Sequence, residues 1–272
     1  MKKILISICL LFSSVSLIAQ QKFIETDSLE VTPSLNSIAV WNNSIYTSDS
    51  LTFEIQNKTQ KISYGAFGWD NNSFDYPACI KTNGIRIFVS DFNNNRIQIF
   101  DKDLNFIFSL NGNKSESEFL NPSKIAISKL GELFILDSYT PSILKFDSGF
   151  RFLFKIENSE VKNFEFENPT DIEIFNSNKF AVLDNPNLLI FSLLGNPIKN
   201  ISLKEKLNFI SSDGRNLYGV RGNTIYLISE NRISKLFEVK INKTERIKDL
   251  AAYLDHFYVL TNKRIKIFTK LK

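Results

Sequence analysis

A short motif, F-x-x-P, recurs at nearly constant spacing and constrains the fold of this chain more than any other feature. It occurs at residues 74–77, 119–122 and 166–169, so its prolines are 45 and 47 residues apart. Pro33 lies 44 residues before the first of them. After each proline come a short strand, a second strand ending in Asp, a turn and a third strand, usually followed by a fourth. Such a period indicates a repeat architecture.

The number of repeats follows from two further, less well kept copies at residues 217–228 and 257–268. With them, six units of about 42 residues fill the chain, which is the size of one four-stranded propeller blade. No sustained helical periodicity is found. The sequence therefore predicts an all-β, six-bladed β-propeller of four-stranded antiparallel blades. The predicted blades span approximately 33–65, 77–110, 122–156, 169–203, 207–240 and 246–268.

The sixth blade lacks a fourth strand, because the chain stops at Lys272 soon after its third strand. Residues 22–27 belong to no strand of the first blade and are placed to supply the missing one. An unpaired edge strand is a stability loss and an aggregation site. We therefore expect this N-terminal strand to close the ring and its deletion to lower the melting temperature sharply.

The first 19 residues are typical of a secretory signal peptide. Lys2 and Lys3 precede an apolar run at 4–17, small residues occur before Gln20, and we place cleavage after Ala19. The predicted mature domain is therefore 20–272, exported to the periplasm or beyond the cell, with no membrane span. It keeps one cysteine, Cys79, which cannot form an internal disulfide and is expected to be buried in a strand.

Charge is distributed unevenly along the predicted domain. Residues 20–198 contain 15 Lys and Arg against 22 Asp and Glu, whereas residues 199–272 contain 16 against 7. This asymmetry is expected either to orient the molecule toward a charged partner or to reflect drift on a solvated surface. The cations of the last third are too dispersed for a nucleic-acid patch, so no nucleic-acid partner is expected.

The best-kept unit, residues 84–112, resembles an NHL repeat. Asp91, Asn94, Arg96, Ile97 and Gln98, followed by Phe100, Asp101, Gly112, Phe119 and Pro122, match that family's central D-x-x-N-x-R-I-Q-V-F-D segment and its following loop. The resemblance is specific over residues 64–147 and fades after Lys199. It implies a six-bladed propeller that binds proteins or, in some members, RNA. A minority of related propellers are enzymes such as metal-dependent lyases and lactonases.

Asp91 and Arg96 flank a turn of three Asn residues, a type that tolerates left-handed backbone conformations. Because an Asp recurs at 49, 137 and 184, a structural role in the turn is the expected one. The phenylalanines of the F-x-x-P motifs are likewise expected to pack between blades.

Because the strands of a meander alternate in direction, every second connection lies at the same end of the blade. The long inter-blade loops therefore share a face with the turns between second and third strands. Loops on a rigid scaffold are the usual place for recognition. We expect Trp69, Phe92 and Tyr139 to project there as aromatic anchors, although Trp69 and Tyr139 could instead pack against neighbouring loops. Further charged contacts are expected from Arg96, Arg221 and Arg264.

Several enzyme classes lack their residues in this sequence. His256 is the only histidine, which excludes a His-rich zinc site, and no nucleophile motif or phosphate-binding glycine loop is present. A Ca²⁺ site needs only oxygen ligands and stays open. We therefore expect no catalytic, cofactor-binding or metal-binding residues and a monomer that binds a protein or a cell-surface polymer. The alternative is a Ca²⁺-dependent hydrolase or lactonase with its site at the channel mouth.

Overall fold

A computed structural model describes residues 22–112, 117–157 and 162–271, in which twenty-four β-strands form six separate antiparallel sheets. Each sheet has four strands in meander order, and the six are arranged as the blades of a propeller. The predicted fold class is confirmed. The predicted signal peptide lies outside the described residues.

The first strand in the chain, β1 (Phe23–Glu30), belongs to the last blade, and the other strands follow in blade order. Blade 1 is β2 (Leu35–Trp41), β3 (Ser44–Asp49), β4 (Glu54–Asn57) and β5 (Ile62–Tyr64). Blade 2 is β6 (Pro77–Thr82), β7 (Arg86–Asp91), β8 (Arg96–Asp101) and β9 (Phe106–Asn111). Blade 3 is β10 (Pro122–Ile127), β11 (Leu133–Asp137), β12 (Ser142–Phe146) and β13 (Phe152–Glu157).

The second half of the ring repeats this order. Blade 4 is β14 (Asp171–Phe175), β15 (Lys179–Asp184), β16 (Asn187–Ser192) and β17 (Pro197–Ser202). Blade 5 is β18 (Phe209–Ser212), β19 (Leu217–Arg221), β20 (Thr224–Ser229) and β21 (Arg232–Glu238). Blade 6 is β22 (Ile247–Tyr253), β23 (His256–Thr261) and β24 (Arg264–Lys270), completed by β1.

Strand β1 closes the ring, as the sequence predicts. It pairs antiparallel with β24 from Phe23 opposite Lys270 to Glu30 opposite Arg264, so the pairing runs three residues beyond the predicted segment. The Phe23 ring also packs on Phe237 and Phe257, with centroid distances of 4.8 and 5.1 Å. Closure therefore combines a backbone ladder with an aromatic contact to two blades.

The core lies between adjacent blades, where each sheet presents one face to the preceding blade and one to the next. The three F-x-x-P phenylalanines, Phe74, Phe119 and Phe166, are buried among residues from two blades, as predicted. Cys79 is also buried there. The first strand of each blade is innermost, so the six first strands surround a central channel.

The ring has two distinct faces. The loop face carries the turns between second and third strands and the inter-blade connections, including residues 65–76, which join blades 1 and 2. The turn face carries the turns between first and second strands and between third and fourth strands. Because strands alternate in direction, every first strand runs from the loop face toward the turn face.

Candidate functional site

The turn between β7 and β8 is built around a buried carboxylate. Asp91 is fully buried and accepts hydrogen bonds from Arg96 Nε (2.7 Å), Asn94 Nδ2 (2.9 Å) and the backbone N–H of Asp75 (2.7 Å). Burial raises the pKa of Asp91, and these donors act against that rise. The structural role predicted for this Asp and Arg pair is confirmed.

Arg96 holds the connection between blades 1 and 2 from beneath. Its Nη1 donates to the carbonyl of Trp69 (2.7 Å), and its Nη2 donates to those of Asp70 (2.9 Å) and Ser73 (3.0 Å). Asn94 adds a bond to the carbonyl of Gly68 (2.9 Å). Since the Arg96 side chain is only 8% exposed, it acts as an anchor within the protein rather than as a surface contact.

Above this anchor the loop face displays an aromatic patch, which we define as Phe67, Trp69, Tyr76 and Phe92. Trp69 is 71% exposed and Phe67 is 57% exposed, with their rings 5.8 Å apart edge to face. Phe92 is half-buried and lies 5.7 Å from Tyr76 in a similar arrangement. The patch therefore presents aromatic rings, and the backbone around Trp69 is held in place by buried Arg96 and half-buried Asn94.

The surroundings of the aromatic patch are acidic. Asp70 and Glu118 are exposed, and Asp75 is half-buried with one oxygen accepting from Asn93 Nδ2 (2.9 Å). Arg96, which lies beneath the patch, is buried and already paired with Asp91. Ring faces and exposed carboxylates are groups that attract a cation.

The other predicted contacts lie on the same face but apart from this patch. Tyr139, 67% exposed, is in the turn of blade 3. In blade 5, Arg221 pairs with Glu205 (2.8 Å) and lies over the ring of Tyr226. In blade 6, Arg264 is half-buried, and its Nε has no hydrogen-bond partner among the described residues. Of the six predicted residues, only Trp69, Phe92 and Arg96 are therefore brought together.

The turns of blades 1, 3 and 4 use their Asp in the same way but without an Arg. Asp49 accepts from Ser34 Oγ (2.7 Å), Asp137 from the N–H of Leu120 (3.1 Å), and Asp184 from the N–H of Glu167 (2.8 Å). Each Asp therefore ties its turn to the preceding connection. Blade 2 differs in adding a guanidinium that holds three carbonyl groups of the connection.

A second candidate site is the central channel, whose mouth the sequence suggests as the place of the alternative enzyme site without identifying any residue there. A cavity of about 400 Å³ opens at the turn face and is lined by the ends of all six first strands. Within it, Lys81 Nζ of blade 2 forms an ion pair with Glu173 Oε1 of blade 4. The feature of the sequence that could have indicated this channel is the presence of charged residues within the mostly apolar first strands: Lys81, Lys124, Asp171, Glu173 and Asp249.

Two carboxylates near the axis join neighbouring blades. Asp249 of blade 6 accepts from Ser37 Oγ (2.7 Å) and from the N–H of Ile38 (2.9 Å) in blade 1. Asp171 of blade 4 accepts from the N–H of Ile210 (2.9 Å) in blade 5. These bonds satisfy buried backbone donors of the innermost strands, so both carboxylates serve the ring itself.

The channel contains three carboxylates but only two ammonium groups. Burial lowers the pKa of Lys81 and Lys124, but the surrounding carboxylates outweigh it, so both pKa values are raised. Burial also raises the pKa of Asp171, and it raises the pKa of Glu173 to about 7 against the nearby Lys81 charge. The excess negative charge can therefore be neutralised by one proton near neutral pH.

The carboxylates are not grouped as a metal site requires. Over residues 22–112, 117–157 and 162–271, no three His, Cys, Asp or Glu side chains cluster in a way that could hold an ion. His256 lies at the start of β23 with Nδ1 3.0 Å from Thr269 Oγ1. The described part of the chain also has no helix long and apolar enough to span a membrane.

Comparisons with known proteins agree on the architecture. The profile of a family described as "6-bladed beta-propeller" matches residues 69–253. Comparison with curated proteins gives no match. Among solved structures, a catalytically inactive virginiamycin B lyase from Staphylococcus aureus with quinupristin is similar at 13% identity and TM-score 0.62, covering 92% of this chain and all of that one. A streptogramin B lyase is similar at 12% identity and TM-score 0.64, covering 92% and 98%. At such identity these similarities establish the fold alone.

Proposed function

This chain belongs to the DUF5128 family of 6-bladed beta-propellers, and we propose that it is a non-enzymatic binding module. A closed ring of blades offers two faces on which a partner can bind. The loop face is the recognition surface, and the aromatic patch is its centre. The observation that carries this proposal is Trp69, whose ring is 71% exposed while its backbone carbonyl is held by buried Arg96.

Physical chemistry supports this choice of surface. An exposed Trp costs solvation free energy that a monomer could avoid, and aromatic side chains with few rotatable bonds are common anchors of binding interfaces. Because the connection is fixed before binding, little conformational entropy is lost when a partner docks. Tyr139, Arg221 and Arg264 are proposed as outer contacts around the ring.

The partner is proposed to be a protein or a cell-surface polymer, and the local charge favours a protein with a basic surface. Asp70 and Glu118 are exposed beside the rings, where Lys or Arg side chains of a partner can pair with carboxylates and stack on aromatic faces. A neutral polysaccharide would use the rings but not the carboxylates. Raised salt should therefore weaken binding of the favoured partner.

The same proposal includes the location of the protein, its oligomeric state and the type of its repeat. We take the chain to be exported to the periplasm or beyond the cell and to act as a monomer without nucleic acid or cofactor. We also propose that blade 2 is an NHL-type repeat, supported by the Asp91, Asn94 and Arg96 contacts that its motif residues make.

The test is capture from the exported fraction by immobilised protein. The wild type is compared with a Trp69→Ala/Phe92→Ala variant and with a matched control, Ile85→Ala/Leu130→Ala, whose side chains are 77% and 81% exposed on the turn face. We expect the first variant to lose the bound partner and the control to retain it. Protease treatment of the input should abolish capture, whereas glycosidase treatment should not. Equal capture by all three proteins would refute the proposal.

The alternative, a Ca²⁺-dependent hydrolase or lactonase at the channel mouth, has a separate test. The oxygens of Asp171 and Asp249 already accept backbone N–H groups, and Glu173 is paired with Lys81. If the binding proposal holds, millimolar Ca²⁺ and EDTA leave the melting temperature unchanged. A clear rise with Ca²⁺ that EDTA reverses would favour the enzyme.

A further inference from the structure

The turn-face mouth of the channel carries a second, differently built aromatic site. Trp41, at the end of β2, is 43% exposed and lies 5.3 Å from the ring of Tyr253, at the end of β22. Gly84 adopts a φ of +90°, and a Cβ there would lie 2.2 Å from the Trp41 ring. Glycine thus allows the indole to lie against the turn of blade 2. The ring is fixed at the rim of the 400 Å³ cavity.

The floor of this cavity offers hydrogen-bond donors. The Lys81 ammonium has three N–H groups, and Glu173 takes one of them. No other acceptor within the described ranges bonds to Lys81 Nζ, although both side chains line the cavity. An ammonium group that a buried carboxylate holds in place, and that has further N–H groups to donate, can bind the oxygen atoms of an anion.

A second cleft continues from the mouth across the turn face. It has a volume of about 470 Å³, lies between blades 5 and 6, and shares Lys129 and Asp213 with the channel cavity. Arg215 and Lys270 also line it, as does one further carboxylate, Asp255. The Asp213 carboxylate is already engaged by the Tyr218 hydroxyl (2.8 Å) and by Asn216 and Arg215 backbone N–H groups. The lining of the two cavities contains four cations, Lys81, Lys129, Arg215 and Lys270, against three carboxylates, Glu173, Asp213 and Asp255.

We infer that the turn-face mouth binds a small organic anion that carries a ring: the ring lies against Trp41 and Tyr253, and the carboxylate or phosphate meets Lys81 and Lys129. The volume suits a small molecule, and an apolar rim with few convergent polar groups is the usual composition of such sites. The inference does not rest on the loop-face proposal, because the two sites are on opposite faces and share no residue.

The chain's two tryptophans make a direct test possible, because one lies on each face. A Trp69→Phe protein keeps Trp41 as its only tryptophan, so its fluorescence reports on the channel mouth. It is titrated with phenylacetate, 4-hydroxybenzoate and cyclohexanecarboxylate, and with the neutral amide of each. We expect a saturable change with at least one carboxylate and roughly 10-fold weaker binding of its amide, the loss of one charge-assisted hydrogen bond.

Two variants separate the site from non-specific attraction. Lys129→Met removes an exposed cation and should weaken carboxylate binding roughly 10-fold without affecting folding. Lys81→Met/Glu173→Gln removes both charges of the buried pair together and should have the same effect. The matched control is Lys102→Met, also on the turn face but outside both cavities, which should bind as the parent does. If no carboxylate binds more tightly than its amide, or if Lys102→Met weakens binding as much as Lys129→Met, the inference is wrong.

Discussion

The two faces of this propeller each hold one tryptophan, and they hold it in opposite ways. On the loop face, Trp69 is fixed by its backbone, whose carbonyl accepts from Arg96, while its ring is 71% exposed. On the turn face, Trp41 is fixed by its ring, which lies against Gly84 and Tyr253 at the edge of a cavity. A displayed ring suits a broad partner surface, whereas an enclosed ring suits a small ligand. The two faces therefore differ in the kind of recognition that we propose for each.

Closure of the ring is the condition on which both faces depend, so its loss has the largest expected effect. Deleting residues 22–30 removes β1, its ladder with β24 and the Phe23 contacts. We expect the free energy of unfolding to fall by more than about 3 kcal/mol, since the deletion removes the packing of half-buried Phe23 and a ladder of seven residue pairs whose hydrogen bonds contribute about 1 kcal/mol each. Thermal unfolding measures it, with Leu29→Ala, a partly exposed position in the same strand, as the control. A truncated protein that melts like the full chain would contradict this closure.

Within the loop face, the buried and exposed arginines should differ sharply. Arg96→Ala leaves Asp91 without its cation and three carbonyl groups without a donor, so we expect a loss of about 3–5 kcal/mol, together with loss of partner capture. Arg221→Ala breaks an ion pair with largely exposed Glu205 and should cost at most about 1 kcal/mol. Urea unfolding of both variants checks the difference. Equal losses would show that blade 2 has no special anchor.

The channel should make the stability of the protein depend on pH through Glu173. The pKa of Glu173 is raised in the folded state from its usual 4.5 to about 7, so the fold binds this proton more tightly than the unfolded chain. Its contribution to stability is complete below 4.5 and is lost as the pH rises toward 7, with a slope of at most about 1.4 kcal/mol per pH unit.

The comparison with a Glu173→Gln variant isolates this contribution from that of other groups. Melting temperatures of the two proteins should be similar at the low end of that pH window, where protonated Glu173 resembles Gln. They should diverge as the pH rises, because only the wild type loses the proton and the stability that comes with it. The Trp69→Phe protein, altered on the other face, is the control and should keep the wild-type profile. Parallel curves for wild type and Glu173→Gln would argue against a titrating channel.

The smallest expected effect on stability comes from Trp69, the residue that we propose as the centre of the binding surface. Trp69→Ala removes a largely exposed ring and should change the free energy of unfolding by no more than about 0.5 kcal/mol. Trp41→Ala removes a ring packed on Gly84 and Tyr253 and should cost about 1–2 kcal/mol. Denaturant melts of both variants test the contrast. A larger loss for Trp69 would mean that its role is packing.

The fold could be predicted because four blades repeat the same local signals, a Pro before the first strand, an Asp at the end of the second and a turn, and the other two keep the strand–turn–strand core. Sequence reasoning also predicted the closing strand, since a ring with one missing strand needs a partner for its edge. It placed Trp69 and Phe92 on one face from strand alternation alone. These features depend on local pattern and connectivity, which the sequence contains.

The contacts that build the channel and the aromatic patch could not be predicted in the same way. Whether Lys81 meets Glu173 depends on two strands that are 92 residues apart in sequence and lie on non-adjacent blades. Likewise, Arg96 belongs to the turn motif, but its bonds to the carbonyls of Trp69 and Asp70 depend on the path of a loop. Charged residues in innermost strands are the one signal that a sequence alone offers for such a channel.

The most direct test of two separate recognition faces uses the two single-tryptophan proteins together. Partner eluted from the wild-type capture is added at saturation to Trp41→Phe, which reports from Trp69, and to Trp69→Phe, which reports from Trp41. We predict that the emission of Trp69 shifts and that of Trp41 does not, although partner binds both proteins. A shift of Trp41 emission with Trp69 unchanged would place the partner on the turn face and contradict the account.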